Sequence, residues 1–193
     1  MALDADSPAG DADLLARYSA GDRAAALALT ERLVPQALSV AQRLLGDRVE
    51  AEDVVQEAML RLWTAAPGWR AGEARVSTWL YRVVVNLCTD RHRRKVPQPR
   101  DTLPDHPDGT PGQEARLQAR ARQAALQAAL ADLPDRQRQV VVLRDIEGLP
   151  NPDIAEIVGV SVQAVESLAA RGRRGLKAAL AGRRGELGFE DDG

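Results

Sequence analysis

An all-α fold in two small helical units is what the sequence predicts, and three observations predict it. Ala, Leu, Arg and Gln dominate the 193 residues, and these side chains lose little rotamer freedom in a helix. Aromatic residues make up only 3% and β-branched ones are scattered, which leaves little to build strands from. A proline-rich stretch, Val96 to Gly112, cuts the helical pattern in two with Pro97, Pro99, Pro104, Pro107 and Pro111. It reads as an extended, semi-rigid linker between a front unit of residues 11–95 and a rear unit of residues 113–184. Residues 1–10 and the acidic tail 185–193 read as disordered ends.

In the front unit a first helix carries Leu14, Leu15 and Tyr18 and stops at Gly21-Asp22. A second carries Leu27 and Leu33, and Pro35 opens a third that runs to Leu45, where Gly46 ends it. The next helix is the clearest amphipathic segment. Ala51, Val54, Val55, Ala58, Met59 and Leu62 recur at helical spacing and form a core stripe. The opposite face holds Asp53, Gln56, Glu57, Leu60 and Arg61. A leucine among carboxylates is better covered by a partner than left in water, which makes this face a candidate protein-binding surface. A solvated acidic face with one stray leucine fits the same residues equally well. After a loop containing Pro67, Gly68, Trp69, Arg70 and Gly72, Ser77 is placed to cap a helix reaching Lys95. Leu80, Val83, Val84 and Leu87 make its buried stripe, with Thr78, Arg82, Asn86, Thr89 and Arg93 on the other side. It finishes Arg91-His92-Arg93-Arg94-Lys95, more charge than satisfying a helix C-terminus requires.

The rear unit opens with an alanine-rich helix from Glu114 to Leu133. Pro134-Asp135 starts another, running to Ile146 with Val140, Val141 and Leu143 buried and Gly148 as its stop. From Gly148 to Leu176 two helices joined by a glycine turn are predicted. Asn151 caps the first with Pro152 at its first position, Gly159 takes the left-handed conformation that ends it, and Ser161 caps the second. Ile154, Ala155, Val158, Val165 and Leu168 fall on the faces that meet. This is the layout of a DNA-reading helix-turn-helix, and an ordinary helical hairpin would share it. Between Glu166 and Arg184 stand Arg171, Arg173, Arg174, Lys177, Arg183 and Arg184 against the single acid Glu166, an excess suited to phosphate. A solvated basic face would look similar. Gly172 and Gly175 cost the second helix about 1 kcal/mol each relative to alanine, so its end is expected to fray without DNA.

The net charge is -2, so any nucleic-acid binding has to come from charge segregated along the chain. Cys88 is the one cysteine, which excludes an internal disulfide, and with His92 and His106 it makes too few ligands for a metal site. Cys88 reads as a small core residue. There is no apolar run near the length of a membrane span and no leader, so a cytoplasmic protein is expected. Catalytic triads, phosphate-cradling glycine loops and metal-ligand clusters are absent from the sequence, and neither an enzyme nor a cofactor is expected.

Three segments carry a family resemblance. They are Ala51-Glu52-Asp53-Val54-Val55-Gln56-Glu57-Ala58 with Leu62-Trp63, Thr78-Trp79-Leu80-Tyr81-Arg82 with Asn86 and Asp90, and Leu133-Pro134 with Arg138 leading into the helix-turn-helix. In this order, and separated by a proline-rich joint, they resemble the compact bacterial sigma factors of the extracytoplasmic-function group of the sigma-70 family. The resemblance covers about Asp13 to Leu180. It implies that Asp53, Gln56, Glu57 and Leu60 dock on core RNA polymerase, which would account for the misplaced leucine. It implies that Trp69, Arg70, Arg75, Thr78, Arg82, Asn86, Arg93 and Arg94 engage the opened minus-ten promoter strand by stacking and phosphate neutralisation. Trp79 and Tyr81 are either stacking groups or core aromatics.

The resemblance also implies that the second helix of the helix-turn-helix reads the duplex minus-thirty-five element through Ser161, Gln163, Glu166, Ser167, Ala170 and Arg171. Gln, Glu and Arg suit adenine, cytosine and guanine edges. Arg173, Arg174 and Lys177 would clamp phosphate. The linker resembles the acidic segment that family members thread toward the polymerase active centre. Relatives are usually held by an anti-sigma factor, so such a partner is implied as well. Two other readings compete: a sigma-like decoy that sequesters an anti-sigma factor, and a helix-turn-helix repressor acting alone. The decoy would lack the basic groups, and the repressor would not need the Asp53 to Glu57 face.

Overall fold

The computed structural model describes residues 10–70, 72, 75–94 and 113–181. The expectations for the linker, for Lys95 and for both termini lie outside these residues. Among the described residues there are eight α-helices and no strand: α1 (Asp11–Ser19), α2 (Arg23–Leu45), α3 (Arg48–Ala65), α4 (Val76–Arg94), α5 (Gln113–Ala131), α6 (Asp135–Val141), α7 (Asn151–Val158) and α8 (Val162–Ala181).

α2 is the centre of the front unit, with α1, α3 and α4 packed around it. It is one helix where the sequence suggests two, with Pro35 inside it. The proline ring removes one backbone donor, but Pro35 and Glu31, whose carbonyl loses that bond, are both exposed, so water can satisfy the orphan. Asp22 caps the start, its carboxylate accepting from the backbone N–H of Ala24 at 2.9 Å and Ala25 at 3.3 Å. Gly46, at φ 69°, ends the helix. Asp47 then caps α3 by accepting from Glu50 N–H at 3.0 Å. Leu27 is exposed, whereas Leu29, Leu33, Ala37 and Val40 face the core. Beneath α1, buried Asp11 is paired with Arg32 at 2.7 Å.

α4 begins one residue before its expected cap. Ser77 lies inside the helix and buried, and the Arg75 carbonyl accepts the first helical bond from Trp79 at 3.0 Å. The inner face of α4 comprises Val76, Leu80, Tyr81, Val84, Leu87 and Cys88, with Val83 only half-buried.

In the rear unit α8 packs on α5, α6 and α7. α6 is shorter than expected, because residues 142–146 form a π-helical turn before Gly148 reverses the chain at φ 72°. α7 starts at Asn151, so Pro150 is its N-cap and Pro152 its second residue. Asn151 is therefore not the cap. Gly159, at φ 71°, ends α7 as the sequence predicts. α8 runs unbroken through Gly172 and Gly175, and the expected fraying is replaced by close packing. A Cβ on Gly172 would lie 2.5 Å from Val141 Cγ2, and one on Gly175 would lie 2.6 Å from Leu133 Cδ2. The missing side chains let α8 approach α6 and the turn before it.

The two units are docked. Buried apolar residues of both form one continuous core from Leu14 to Ala169, and α7 lies against α4 while α5 lies against α2. Polar bonds stitch the seam: Gln127 donates to the Arg43 carbonyl (2.9 Å), Ser39 to the Glu147 carboxylate (2.6 Å) and Gln139 to the Thr89 hydroxyl (2.8 Å).

Candidate functional site

The outer face of α3 remains open to solvent. Asp53 and Gln56 are exposed on it, and Leu60 is 58% exposed. Val49, 69% exposed, lies four residues before Asp53 and extends the same face. Sequence reasoning missed Val49, although its helical spacing from Asp53, Gln56 and Leu60 was there to be read. Glu57 stands at the edge of this face, half-buried and held by Arg61 at 2.5 Å and Arg91 at 3.8 Å. Arg91 also donates to the Glu50 carbonyl at 2.6 Å, so one of the basic or titratable residues in the last turn of α4 braces α3.

The minus-ten candidates divide into two groups. Asn86, Arg93 and Arg94 are exposed on α4, Arg70 is exposed in the loop before it, and Trp69 is half-buried edge-on to Trp79, centroids 5.8 Å apart. Arg75 and Arg82 are paired with carboxylates of the rear unit, and Thr78 is buried. Arg75 is paired with Asp153 at 3.0 Å, and Arg82 with Glu156 at 3.2 Å while also donating to the Glu156 backbone carbonyl at 3.0 Å. Thr78, one helical turn from both arginines, is only 3% exposed and Thr89 is half-buried, where an outward face was expected. Tyr81 is a core residue whose hydroxyl pKa is pushed up by burial and, secondarily, by the Glu147 and Asp11 carboxylates.

On the helix-turn-helix the Ser161 hydroxyl caps α8, accepting from Ala164 N–H at 3.1 Å. Gln163, Glu166, Ser167 and Arg171 are exposed on the outer face, with Val165 and Ala169 buried behind them. Ala170 is half-buried, because it borders the packed side of α8. Arg174 and Lys177 are exposed, whereas Arg173, expected to clamp phosphate, is paired with Asp145 at 3.1 Å. Among the described residues no group of three metal-ligating side chains occurs, and no helix is long and apolar enough to cross a membrane.

Two family models match the two units separately, Sigma-70 region 2 over residues 29–97 and Sigma-70, region 4 over residues 123–176. The chain belongs to the sigma-70 family. It is 38% identical to the ECF RNA polymerase sigma factor SigM of Mycobacterium tuberculosis (strain ATCC 25618 / H37Rv) over 169 residues, 86% of this chain and 82% of that protein. It is 32% identical to the ECF RNA polymerase sigma factor SigW of Bacillus subtilis (strain 168) over 151 residues, 72% and 79% of the two chains. The fold of this ECF sigma factor is similar to that of CnrH in complex with the cytosolic domain of CnrY, with a TM-score of 0.70 and 26% identity over 89% of this chain and 97% of CnrH. The region 2 match takes in α3 and α4, and the region 4 match takes in the helix-turn-helix.

Proposed function

We propose that this ECF sigma factor binds core RNA polymerase, directs it to two-part promoters and helps open them, performing no bond chemistry itself. The observation that carries the reading is the outer face of α3. In a molecule whose two units share one core, this face keeps Leu60 and Val49 in water beside Asp53 and Gln56. Exposed apolar residues spaced along a polar helix face suit a protein partner. Asp53, Gln56, Glu57 and Leu60 are assigned to core polymerase, and Val49 joins them. A repressor acting alone has no use for that face.

The opened minus-ten strand is assigned to Trp69, Arg70, Asn86, Arg93 and Arg94, together with Arg75, Thr78 and Arg82. Arginines neutralise phosphate there, and an unpaired base stacks on an aromatic ring. The duplex minus-thirty-five element is assigned to α8. Gln163, Glu166 and Arg171 suit base edges, Ser161, Ser167 and Ala170 line the approach, and Arg173, Arg174 and Lys177 hold phosphate. CnrH is described in complex with the cytosolic domain of CnrY, which supports a protein that holds this sigma factor too, an anti-sigma factor. Acting on chromosomal promoters, the protein works in the cytoplasm.

Run-off transcription with purified core polymerase tests the reading. Promoter-dependent transcripts are expected only when the sigma factor is added, and Leu60→Glu should weaken core binding at least about tenfold while leaving the melting curve in place. Failure to bind core enzyme, or footprints on promoters without polymerase, would defeat it.

A further inference from the structure

We infer that the groove where α2 and the start of α3 meet α5 is a binding site for a small phosphorylated ligand of nucleotide size. Its volume is 620 Å³, within the range of about 300–1,000 Å³ that small-molecule sites span, and such sites favour domain interfaces. One wall belongs to the front unit and the other, α5, to the rear unit. The apolar side chains lining it are no larger than alanine, Ala124 and Ala128, and no aromatic ring is among them. Such a lining offers nothing to the apolar side chains of a protein partner. It is instead cationic, with three guanidiniums against one carboxylate in a chain whose net charge is -2.

The carboxylate, Asp47, is committed to the cap of α3. Arg43 is half-buried and forms no ion pair among the described residues, although a guanidinium withdrawn from water is normally given a partner. Arg48 is held by Glu52 one turn along α3, an exposed pair weak enough to exchange for a ligand. Arg120 adds charge from the opposite wall. Cations on both walls suit an anion with more than one charged group, and the guanidinium fork matches phosphate oxygens. Beside them the amides of Gln42 and Gln123 offer the donor and acceptor that the edge of a base requires. The walls are tied together before any ligand arrives. Gln127 donates to the Arg43 carbonyl at 2.9 Å, and Gly46 leaves it room, since a Cβ there would lie 3.0 Å from the Gln127 amide nitrogen. A preformed site loses little affinity to ordering.

Titration calorimetry and melting curves of the full-length protein test the site, with ATP, pyrophosphate and adenosine as probes and sodium sulfate at matched ionic strength as the control. ATP should bind saturably at one site and raise the melting temperature, because a ligand on both walls stabilises the folded molecule by mass action. Pyrophosphate should bind more weakly, and adenosine and sulfate should leave the melting curve in place. Arg43→Gln, which removes a cation, and Gln123→Glu, which sets a carboxylate at an exposed position of the groove, should each weaken ATP about tenfold or more. Arg171→Gln with Arg174→Gln, on the outer face of α8, should leave ATP binding unchanged. ATP binding that survives both groove variants, or that is lost in the α8 pair alone, overturns the site and places the phosphates on the DNA-reading face. Sulfate raising the melting temperature as far as ATP does, or adenosine binding as tightly, overturns it too, the first by reducing the effect to screening and the second by removing the phosphate.

Discussion

Gly172 and Gly175 look alike in the sequence and differ in what an added methyl would meet. At Gly172 it would strike Val141 Cγ2, on the buried face of α6, at 2.5 Å and come within 3.3 Å of the Gln137 backbone carbonyl. Overpacking of that kind costs about 1–3 kcal/mol, against about 1 kcal/mol gained in helix propensity. At Gly175 the obstacle is the tip of Leu133, which can swing. Gly172→Ala should thus lower stability by up to about 2 kcal/mol and Gly175→Ala leave it unchanged or raised, read from denaturant midpoints. Equal losses at both would show that the distinction is wrong. Propensity alone misread these glycines, because it knows nothing of a neighbour far away in sequence. Cys88 was legible from its apolar helical neighbours. Burial pushes its thiol from 9.0 up to about 12, and Tyr81 shifts the same way. Both are neutral acids favoured by the fold, so their contribution is intact below about pH 9 and is lost as pH rises toward the folded values. Melting temperature should fall on going from about pH 8 to pH 10.5, less steeply in Cys88→Ala; an unchanged slope would assign the fall to other groups.

Elements were legible wherever one local signal sufficed. The α3 stripe from Ala51 to Leu62 is buried as its period requires, and the turn between α7 and α8 sits at Gly159. Pro35 misled because proline's cost in a helix depends on where the orphaned carbonyl points, which composition does not reveal. The outer side of α7 carried no reading at all, because Ile157 signals a missing neighbour without saying which one. For α8 the prediction concerns reading rather than folding. Arg171 is exposed among Gln163, Glu166 and Ser167, so Arg171→Ala should cost about 1–3 kcal/mol at one base position and little at others. Uniform weakening across promoter variants, with a shallower salt dependence, would move Arg171 to the phosphate set beside Arg174 and Lys177.

At the scale of the whole molecule the sequence shows a joint, and the structure shows two units sharing one core across it. The strength of that docking decides whether it can be undone in use. Burying Ile157 contributes about 1.5–3 kcal/mol, and ion pairs as exposed as Arg82 with Glu156 contribute about 0–1 kcal/mol. These contributions add to the packing of α5 on α2 and to the three hydrogen bonds across the seam. Such a seam should also make the two units melt together. Calorimetric and van't Hoff enthalpies of the intact protein are expected to agree. Ile157→Asp places an unpaired charge in the seam while leaving Ile154, Ala155 and Val158 to hold the helix-turn-helix, so it should split the transition into two. Two transitions already present in the unsubstituted protein would mean that the shared core does not couple the units.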